Sequence, residues 1–245
     1  ARLSDRRERD GPFCKSQIAF NPFTDRTYMA ELKPSYEHEN VTVIDHPLVA
    51  RDLSIMRKKE TGTAGFRAAM ARVATILAYF ALRNLPLRST RIETPVTETE
   101  GFEIDTSIFV IPILRAGLSL ADAIIDFVPD AHVGHLGMYR DETTHKPVDY
   151  YSNLPSGIDR GLTLVVDPML ATGGSADDAI TYLKKHGAKN ILFISLICAP
   201  EGLKRINSTH PDVPIITAAV DEKLNEDAFI VPGLGDAGDR FFGTA

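Results

Sequence analysis

Residues 164–175 read LVVDPMLATGGS. An apolar run ends at the acid Asp167, a turn of small residues follows, and an amphipathic stretch begins at Ala176. This order predicts a buried strand, a tight turn and a helix. Strands that are apolar on both faces and are joined by helices are typical of a parallel sheet. The stretch therefore predicts an α/β fold.

The same alternation recurs on both sides of this stretch. Short apolar strands are predicted at 108–114, 133–138, 162–167, 190–199 and 215–220. Helices are predicted at 118–127 and 176–186, the second of them ended by Gly187. Together these segments predict a central parallel sheet flanked by helices.

The region before the first of these strands is predicted to be mainly helical. A short strand at 40–44 precedes a helix from Pro47 to about Lys59, because proline suits the first helical turn. A second helix is predicted from Thr63 to about Asn84. Its apolar residues recur at helical spacing and are expected in the core: Phe66, Met70, Val73, Leu77 and Phe80.

The domain boundary is placed near residue 40. Residues 1–39 are polar, contain Pro12, Pro22 and Pro34, and show no sustained periodicity, so they are predicted to be an N-terminal extension. The extension either wraps the main domain and makes subunit contacts or is a loosely ordered tail. Residues 40–245 are predicted to be one catalytic domain.

Composition restricts the class of protein and its partners. The 245 residues are 44% hydrophobic and 24% charged, which suits a globular core, and the formal net charge is -6. No long basic block appears, so nucleic acid is not expected as a partner. No apolar run approaches the roughly 20 residues that cross a bilayer, so no membrane partner is expected. The two cysteines, Cys14 and Cys198, form no disulfide framework, and the cytoplasm is the expected location.

The turn after Asp167 has the properties of a phosphate site. Main-chain N–H groups of Thr172 to Ser175 lie at a predicted helix N-terminus, where the partial positive charge favours an anion. Gly173 and Gly174 let the backbone approach a ligand closely, and the two hydroxyls add donors. The loop lacks the lysine of a Walker motif and the GxGxxG of a dinucleotide site. The sequence therefore predicts a loop that holds a sugar phosphate, with Asp167 accepting from sugar hydroxyls.

On these residues the chain resembles the type I phosphoribosyltransferases, and the Asp167-Pro168 form of the motif is similar to the uracil phosphoribosyltransferases in particular. The resemblance runs from about Val41 to Thr244. It implies the type I fold, with a projecting hairpin arm and a small C-terminal hood. It also implies transfer of phosphoribose from phosphoribosyl diphosphate (PRPP) to uracil, giving UMP and pyrophosphate, with Mg²⁺ carried by PRPP rather than bound directly by the protein. The residues that it implies for PRPP are Arg115, Arg140, Asp167, Pro168, Met169, Leu170, Ala171, Thr172, Gly173, Gly174, Ser175 and Asp236.

Two arginines are candidates for the diphosphate side of the substrate. Arg115 follows the predicted strand 108–114, and a guanidinium pairs with phosphate oxygens in a planar, bidentate way. Arg140 belongs to the polar segment 139–153, which is expected to form the arm and to close over the substrate. Both arginines are predicted to act in catalysis. A solvated hairpin is the alternative for the arm, and His145 on it is not expected to be catalytic.

The glycine-rich tail is the candidate site for the base. Residues 229–243 read FIVPGLGDAGDRFFG, and their main chain could read a small planar pyrimidine. The resemblance places uracil against Ile230, Gly235, Asp236 and Ala237. Asp236 would face the ribose and is the candidate to assist deprotonation of the uracil N1 atom.

The resemblance also suggests assembly and regulation. Relatives often form dimers or tetramers, so a homodimer or homotetramer is expected, and some relatives are activated by GTP. A basic cluster could bind such a triphosphate, although a solvated helical face explains it equally well: Arg57, Lys58, Lys59, Arg67 and Arg72. Thr63 stands where GTP-responsive eukaryotic relatives carry a lysine.

Three other functions remain as alternatives. The first is a catalytically silent or regulatory homologue that binds UMP or PRPP as a signal. The second is an RNA-binding regulator of the same fold, against which the acidic charge balance argues. The third is an enzyme for a different base, because the phosphate loop does not choose the base.

Overall fold

The computed structural model describes residues 40–140 and 147–244. The helices are α1 (Pro47–Arg57), α2 (Thr63–Leu82), α3 (Leu118–Phe127), α4 (Gly174–Lys185), α5 (Pro200–Thr209) and α6 (Ala237–Phe242). The strands are β1 (Val41–Val43), β2 (Leu87–Glu93), β3 (Glu98–Ile104), β4 (Ile108–Leu114), β5 (His132–Val133), β6 (His135–Arg140), β7 (Pro147–Asn153), β8 (Leu162–Val166), β9 (Met169–Leu170), β10 (Asn190–Cys198), β11 (Ile215–Val220), β12 (Lys223–Leu224) and β13 (Ile230–Val231).

The central sheet confirms the predicted α/β architecture. Its strand order is β1-β11-β10-β8-β4-β6-β7, with β5 added beside β4 and β9 beside β10. All pairs are parallel except β6 with β7, which is antiparallel. Because β4 and β8 are parallel neighbours, the segments that follow them leave the sheet at the same edge. This edge carries the phosphate loop and Arg115.

Alternate side chains of the strands fill two apolar cores, one on each face of the sheet. In β4, Ile108 and Val110 pack with residues of α1, α2 and α3. Phe109, Ile111 and Ile113 point to the other face and pack with residues of α4 and α5. A strand that is buried on both faces needs an almost unbroken apolar run, which is what 108–114 supplies.

Helix α2 lies against the first of these cores. Phe66, Met70, Val73 and Leu77 are fully buried, and Phe80 is partly buried beside them, as the helical spacing predicts. The helix is long and apolar enough to cross a membrane by length and composition alone. Its buried stripe packs inside the fold, which is how a core helix of a globular domain also looks.

Some elements differ from the sequence-based expectation. Helix α1 ends at Arg57, so Lys58 and Lys59 lie in the loop after it, and α4 begins at Gly174, two residues before the predicted start. The antiparallel hairpin of β2 and β3 has no counterpart in the prediction. Strands β6 and β7 form the predicted hairpin arm, while its tip, 141–146 with His145, lies outside the described residues, as do the 1–39 extension and Cys14.

Candidate active site

The turn between β8 and α4 has the geometry expected of a phosphate loop. Gly173 has a φ of 77° and leads directly into α4, so its conformation favours glycine. Thr172 and Ser175 are exposed, whereas Gly173 and Gly174 are buried. The Gly174 N–H donates to the Thr172 hydroxyl at 3.4 Å. The main-chain amides and exposed hydroxyls at the start of a twelve-residue helix can bind an anion.

The loop is held in place by the sheet and by α5 behind it. The Pro168 carbonyl accepts from the N–H groups of Leu196 and Ile197, both at 3.1 Å, and the next two residues, Met169 and Leu170, form β9 beside β10. A Cβ added at Gly202 in α5 would lie 2.5 Å from the Ala171 carbonyl oxygen. The main chain of the loop is therefore supported by backbone contacts on its inner side.

Asp167 lies at the carboxyl end of β8 and is half-buried. Its Oδ1 accepts from the Met169 N–H at 3.4 Å. Burial raises the pKa of this carboxyl to about 7, against the opposing effect of that hydrogen bond. Near neutral pH the group therefore exchanges between a carboxylate, which only accepts hydrogen bonds, and an acid, which also donates one.

Arg115 lies beside the phosphate loop, as the neighbouring strands predict. A Cβ at Gly117 would lie 2.5 Å from the Val166 carbonyl oxygen, so the turn after β4 packs directly on the end of β8. The Arg115 side chain is 64% exposed, and its Nη2 lies 3.5 Å from Oδ1 of Asp239. Its guanidinium also lies over the Phe242 ring, 5.9 Å from the ring centre. An exposed guanidinium with one distant carboxylate partner can still receive a diphosphate.

The tail reaches the same edge of the sheet through α6. A Cβ at Gly238 would lie 3.7 Å from the Ala116 Cβ, next to Arg115. Asp236 is exposed and caps α6, because its Oδ1 accepts from the Asp239 N–H at 2.8 Å. Gly235 is also exposed and has a φ of 79°.

The predicted base residues fall into two groups. Gly235 and Asp236 are exposed, whereas Ile230 and Ala237 are 5% and 2% exposed and belong to the core. A ligand would therefore meet the main chain rather than the side chains of the buried pair. Arg140 ends β6, and its side chain lies outside the described residues.

The candidate effector cations do not form one open cluster. Arg57 is bound to Asp221, and Arg72 is bound to Asp52. Arg67 donates to the Phe241 carbonyl at 2.6 Å and lies over that ring. Lys59 is exposed. These cations are therefore distributed along α1, α2 and the loop between them.

A cleft lies between the α1–α2 loop and the tail. It has a volume of about 520 Å³, and its lining comprises Arg57, Lys59, Thr61, Gly62, Thr63, Pro232, Gly233, Leu234, Gly235, Asp239, Arg240 and Gly243. Of the candidate effector residues, only Arg57 and Lys59 line it. The phosphate loop 167–175 is not part of its lining.

The Asp52 carboxylate is fully buried and receives two arginines. Arg72 donates to both of its oxygens at 2.8 Å, and Arg51 donates from the same helix. The Arg72 hydrogen bonds are the main cause that lowers the pKa of Asp52 to about 2, and they outweigh the burial that would raise it. The same pair raises the pKa of Arg72. The Asp52–Arg72 pair links α1 to α2 and, among the residues that the structure describes, makes no hydrogen bond to the tail.

Sequence reasoning missed a second set of polar residues around the tail. Asp221 is 6% exposed and binds both Arg57 and the main chain of Gly233, and Arg240 donates to the Leu234 carbonyl. No local motif marks these residues, because Arg57 and Asp221 are separated by 164 positions. The one signal available in the sequence was the acid Asp221, which directly follows the predicted apolar strand 215–220.

Within the described residues, no group of three or more His, Cys, Asp or Glu side chains is arranged to hold a metal ion. Pro168 occupies the position after Asp167 and has no carboxylate to contribute. The Cys198 thiol is free and fully buried, and burial raises its pKa to about 12. A thiol in this state is unreactive, so it does not belong to the candidate chemistry.

Known proteins share this sequence and fold. The family model described as uracil phosphoribosyltransferase matches residues 43–244. The uracil phosphoribosyltransferase of Salinibacter ruber is 54% identical over 206 residues, covering 84% of this chain and 98% of the relative. That of Streptococcus pneumoniae is 52% identical over 205 residues, covering 83% and 98%.

Solved structures agree with these sequence matches. The AQ2163 protein from Aquifex aeolicus superposes with a TM-score of 0.78 at 35% identity, covering 84% of this chain and 99% of that one. Adenine phosphoribosyl transferase from Trypanosoma brucei, with a TM-score of 0.53 at 12% identity, covers 80% and 88% and shares the fold alone. Together with the phosphate loop, Arg115 and the tail at one edge of a parallel sheet, these matches show that the chain belongs to the uracil phosphoribosyltransferase family.

Proposed function

We propose that the protein transfers the phosphoribosyl group of PRPP to uracil, giving UMP and pyrophosphate, and so acts in pyrimidine salvage. The observation that carries this proposal is the meeting of three segments at the carboxyl edge of β4 and β8. These are the phosphate loop, Arg115 and the tail. A substrate with a 5-phosphate at one end and a diphosphate at the other needs anion-binding groups at both ends and space for the base between them.

The residues supply binding and charge rather than a covalent intermediate. The 5-phosphate would lie on the amides of Thr172 to Ser175, and Asp167 would accept from a ribose hydroxyl. Arg115, with Arg140 from the arm, would bind the diphosphate. As the bond from C1′ to the diphosphate oxygen breaks, the electron pair leaves with pyrophosphate and uracil N1 forms the new bond to C1′. Positioning and stabilisation of the leaving charge account for the rate.

Mg²⁺ fits this site as a companion of the substrate. Pro168 follows Asp167 where a second acid could stand, so the diphosphate would supply most of the oxygens that the ion needs. When bound, the ion neutralises charge on the leaving diphosphate. Asp236 would face the ribose and assist loss of the N1 proton.

The test is a direct assay of the full chain. PRPP and Mg²⁺ are mixed with uracil, cytosine, orotate, hypoxanthine or adenine, and pyrophosphate release is measured. Release with uracil, above that with the other bases, is the expected result. Tight binding of UMP or PRPP without turnover would instead support the regulatory homologue, and turnover of another base would reassign the substrate.

We further propose a GTP effector site at the α1–α2 region. Its support is the exposed Lys59, which lines the cleft together with the N-terminus of the twenty-residue α2. Steady-state rates with and without millimolar GTP test this proposal, with Lys59→Gln as the variant. An unchanged rate in the wild-type protein would reject it.

Assembly as a homodimer or homotetramer is the proposed quaternary state. Its support is the β2–β3 hairpin, because half of the ten large apolar side chains that the described residues expose lie on this hairpin: Leu87, Ile92, Val96, Phe102 and Ile104. A two-stranded sheet is marginal in water unless its apolar side chains are covered. A second copy of the chain is the proposed cover.

Two further proposals concern organisation and location. Residues 1–39 are proposed to be an extension of a catalytic domain that spans 40–245. The cytoplasm is the proposed compartment, and the buried free thiol of Cys198 supports a reducing one.

A further inference from the structure

Asp221 and Arg57 hold one residue of the tail, Gly233, through both of its main-chain polar groups. Arg57 donates to the two Asp221 oxygens at 2.6 and 2.8 Å and to the Gly233 carbonyl at 2.7 Å. The Gly233 N–H donates to Asp221 Oδ2 at 2.9 Å. The donor and the acceptor of Gly233 are thus both bound by one charged pair.

The conformation that this pair holds is open to few residues. Gly233 has a φ of 62°, and a Cβ there would lie 2.1 Å from the Ile230 carbonyl oxygen. The Asp221 side chain is only 5% exposed, so its charge needs the guanidinium. The pair and the glycine therefore depend on each other.

Arg240 holds the next carbonyl along the chain. Its Nη1 donates to the Leu234 carbonyl at 2.7 Å and to the Met56 carbonyl, and its Nη2 donates to the Lys58 carbonyl at 2.8 Å. Its guanidinium lies 4.6 Å from the centre of the Phe66 ring. Two arginines, one from α1 and one from α6, thus fix the consecutive carbonyls of Gly233 and Leu234.

We propose that the Arg57–Asp221 pair, supported by Arg240, is the positioning device that holds the main chain of Gly233 and Leu234 so that the adjoining turn at Gly235 and Asp236 can read the base. This inference rests on the proposed function and assigns Arg57 a role in base recognition. Uracil and cytosine differ in whether the ring edge donates or accepts at N3 and C4. A main chain can discriminate between them only while its N–H and C=O groups keep their directions. A peptide unit that is free to rotate can present either its N–H or its C=O to the base and so binds uracil and cytosine alike.

The chain offers a matched control for this test. Asp52, like Asp221, is a buried carboxylate that an arginine holds through both oxygens, but it lies between α1 and α2 and does not touch the tail. The test variants are Arg57→Lys, which keeps the charge but not the bidentate geometry, and Asp221→Asn. Asp52→Asn is the control for a loss of stability that has no connection with the base.

The first measurement is steady-state kinetics of the full-length proteins without GTP. The variants of the pair are expected to raise KM for uracil about tenfold and to reduce the preference for uracil over cytosine, because small misplacements of binding groups are costly. KM for PRPP is expected to rise less, within about threefold of wild type, since the phosphate loop and Arg115 are untouched and only Asp236 adjoins the ribose. Asp52→Asn is expected to lower Tm with both KM values unchanged.

The second measurement is hydrogen–deuterium exchange of the ligand-free proteins. Faster exchange confined to 230–237 is expected for Arg57→Lys and Asp221→Asn and not for Asp52→Asn. The proposal is overturned if the tail exchanges as in wild type, or if KM for uracil and KM for PRPP rise by the same factor. If wild-type protein makes no UMP, the proposed function fails, while the exchange experiment still decides whether the pair orders the tail.

Discussion

Among the single residues of the site, Asp236 has a structural role and a proposed chemical role that one substitution separates. Asparagine is as good an N-cap as aspartate, so Asp236→Asn keeps the hydrogen bond to the Asp239 N–H and the start of α6. It removes the negative charge that the proposed function places next to the ribose. We expect kcat to fall by about 100-fold, the lower range for loss of a general base, with Tm unchanged. Turnover within about threefold of wild type would remove Asp236 from the chemistry.

Asp167 has a raised pKa, which makes its effect on stability depend on pH. The folded protein holds the proton up to a pH of about 7, whereas the unfolded chain releases it near the ordinary aspartate pKa of 3.8. This contribution to stability is complete below pH 3.8 and is lost as the pH rises through about 7. Asp167→Asn is neutral at every pH, so its Tm should exceed that of wild type more at pH 8 than at pH 5.

The same substitution is expected to weaken the enzyme while it stabilises the fold. The amide has one accepting oxygen and no negative charge where the carboxylate has two accepting oxygens, so its bonds to the ribose hydroxyls are weaker and KM for PRPP should rise about tenfold. Differential scanning fluorimetry from pH 5 to 8 and initial-rate kinetics measure the two effects. A Tm difference that does not depend on pH would contradict the raised pKa.

Asp52 provides the opposite case and a control for this pH series. The Arg72 pair lowers its folded pKa to about 2, so its contribution is present above the unfolded pKa and is lost as the pH falls through about 2. Asp52→Asn should therefore lower Tm throughout pH 5 to 8, where Asp167→Asn raises it. The two carboxyls lie in one domain, but arginines bind Asp52, whereas burial is the main influence on Asp167.

Helix α5 supports the phosphate loop through the close packing of Gly202 on the main chain of the loop. Its Gly202 packs on the Ala171 and Leu170 carbonyls, at 2.5 and 2.8 Å from a built Cβ, so Gly202→Ala must displace either α5 or the phosphate loop. We expect a KM for PRPP raised about tenfold with kcat less affected, because the amides move from the phosphate. Gly65→Ala in α2 is the control, since its Cβ meets only the Thr61 methyl at 3.3 Å. Equal kinetic effects of the two substitutions would contradict a supporting role for α5.

Elements with strong local patterns were predictable from the sequence. The limits of β4, β11 and α3 agree with the predicted segments 108–114, 215–220 and 118–127 because apolar runs and helical periodicity decide them locally. The β2–β3 hairpin was missed because both of its faces are largely exposed, and its strands carry too few apolar residues for a sustained alternation.

The candidate site divides in the same way. The candidate phosphate loop is contiguous in sequence, and its glycines, hydroxyls and acid predict its role without knowledge of the fold. The Arg57–Asp221–Gly233 set joins three distant segments, and no spacing rule relates them. From the sequence, Arg57 is assigned to a basic cluster. In the structure its guanidinium binds the main chain of the tail. The difference arises because pairing across the fold depends on how β11, α1 and the tail pack.

For the whole molecule, the remaining question is how the hairpin is covered. If a second copy covers it, replacing Phe102 and Ile104, which are 65% and 49% exposed, by serine should weaken the association without disturbing the core. Sedimentation velocity at micromolar protein is expected to show a dimer or tetramer for wild type and a smaller species for the double variant. Phe127→Ser removes a similarly exposed aromatic from α3 and should leave the mass unchanged. A monomeric wild-type protein, or a double variant of wild-type mass, would mean that the hairpin is not the contact between copies.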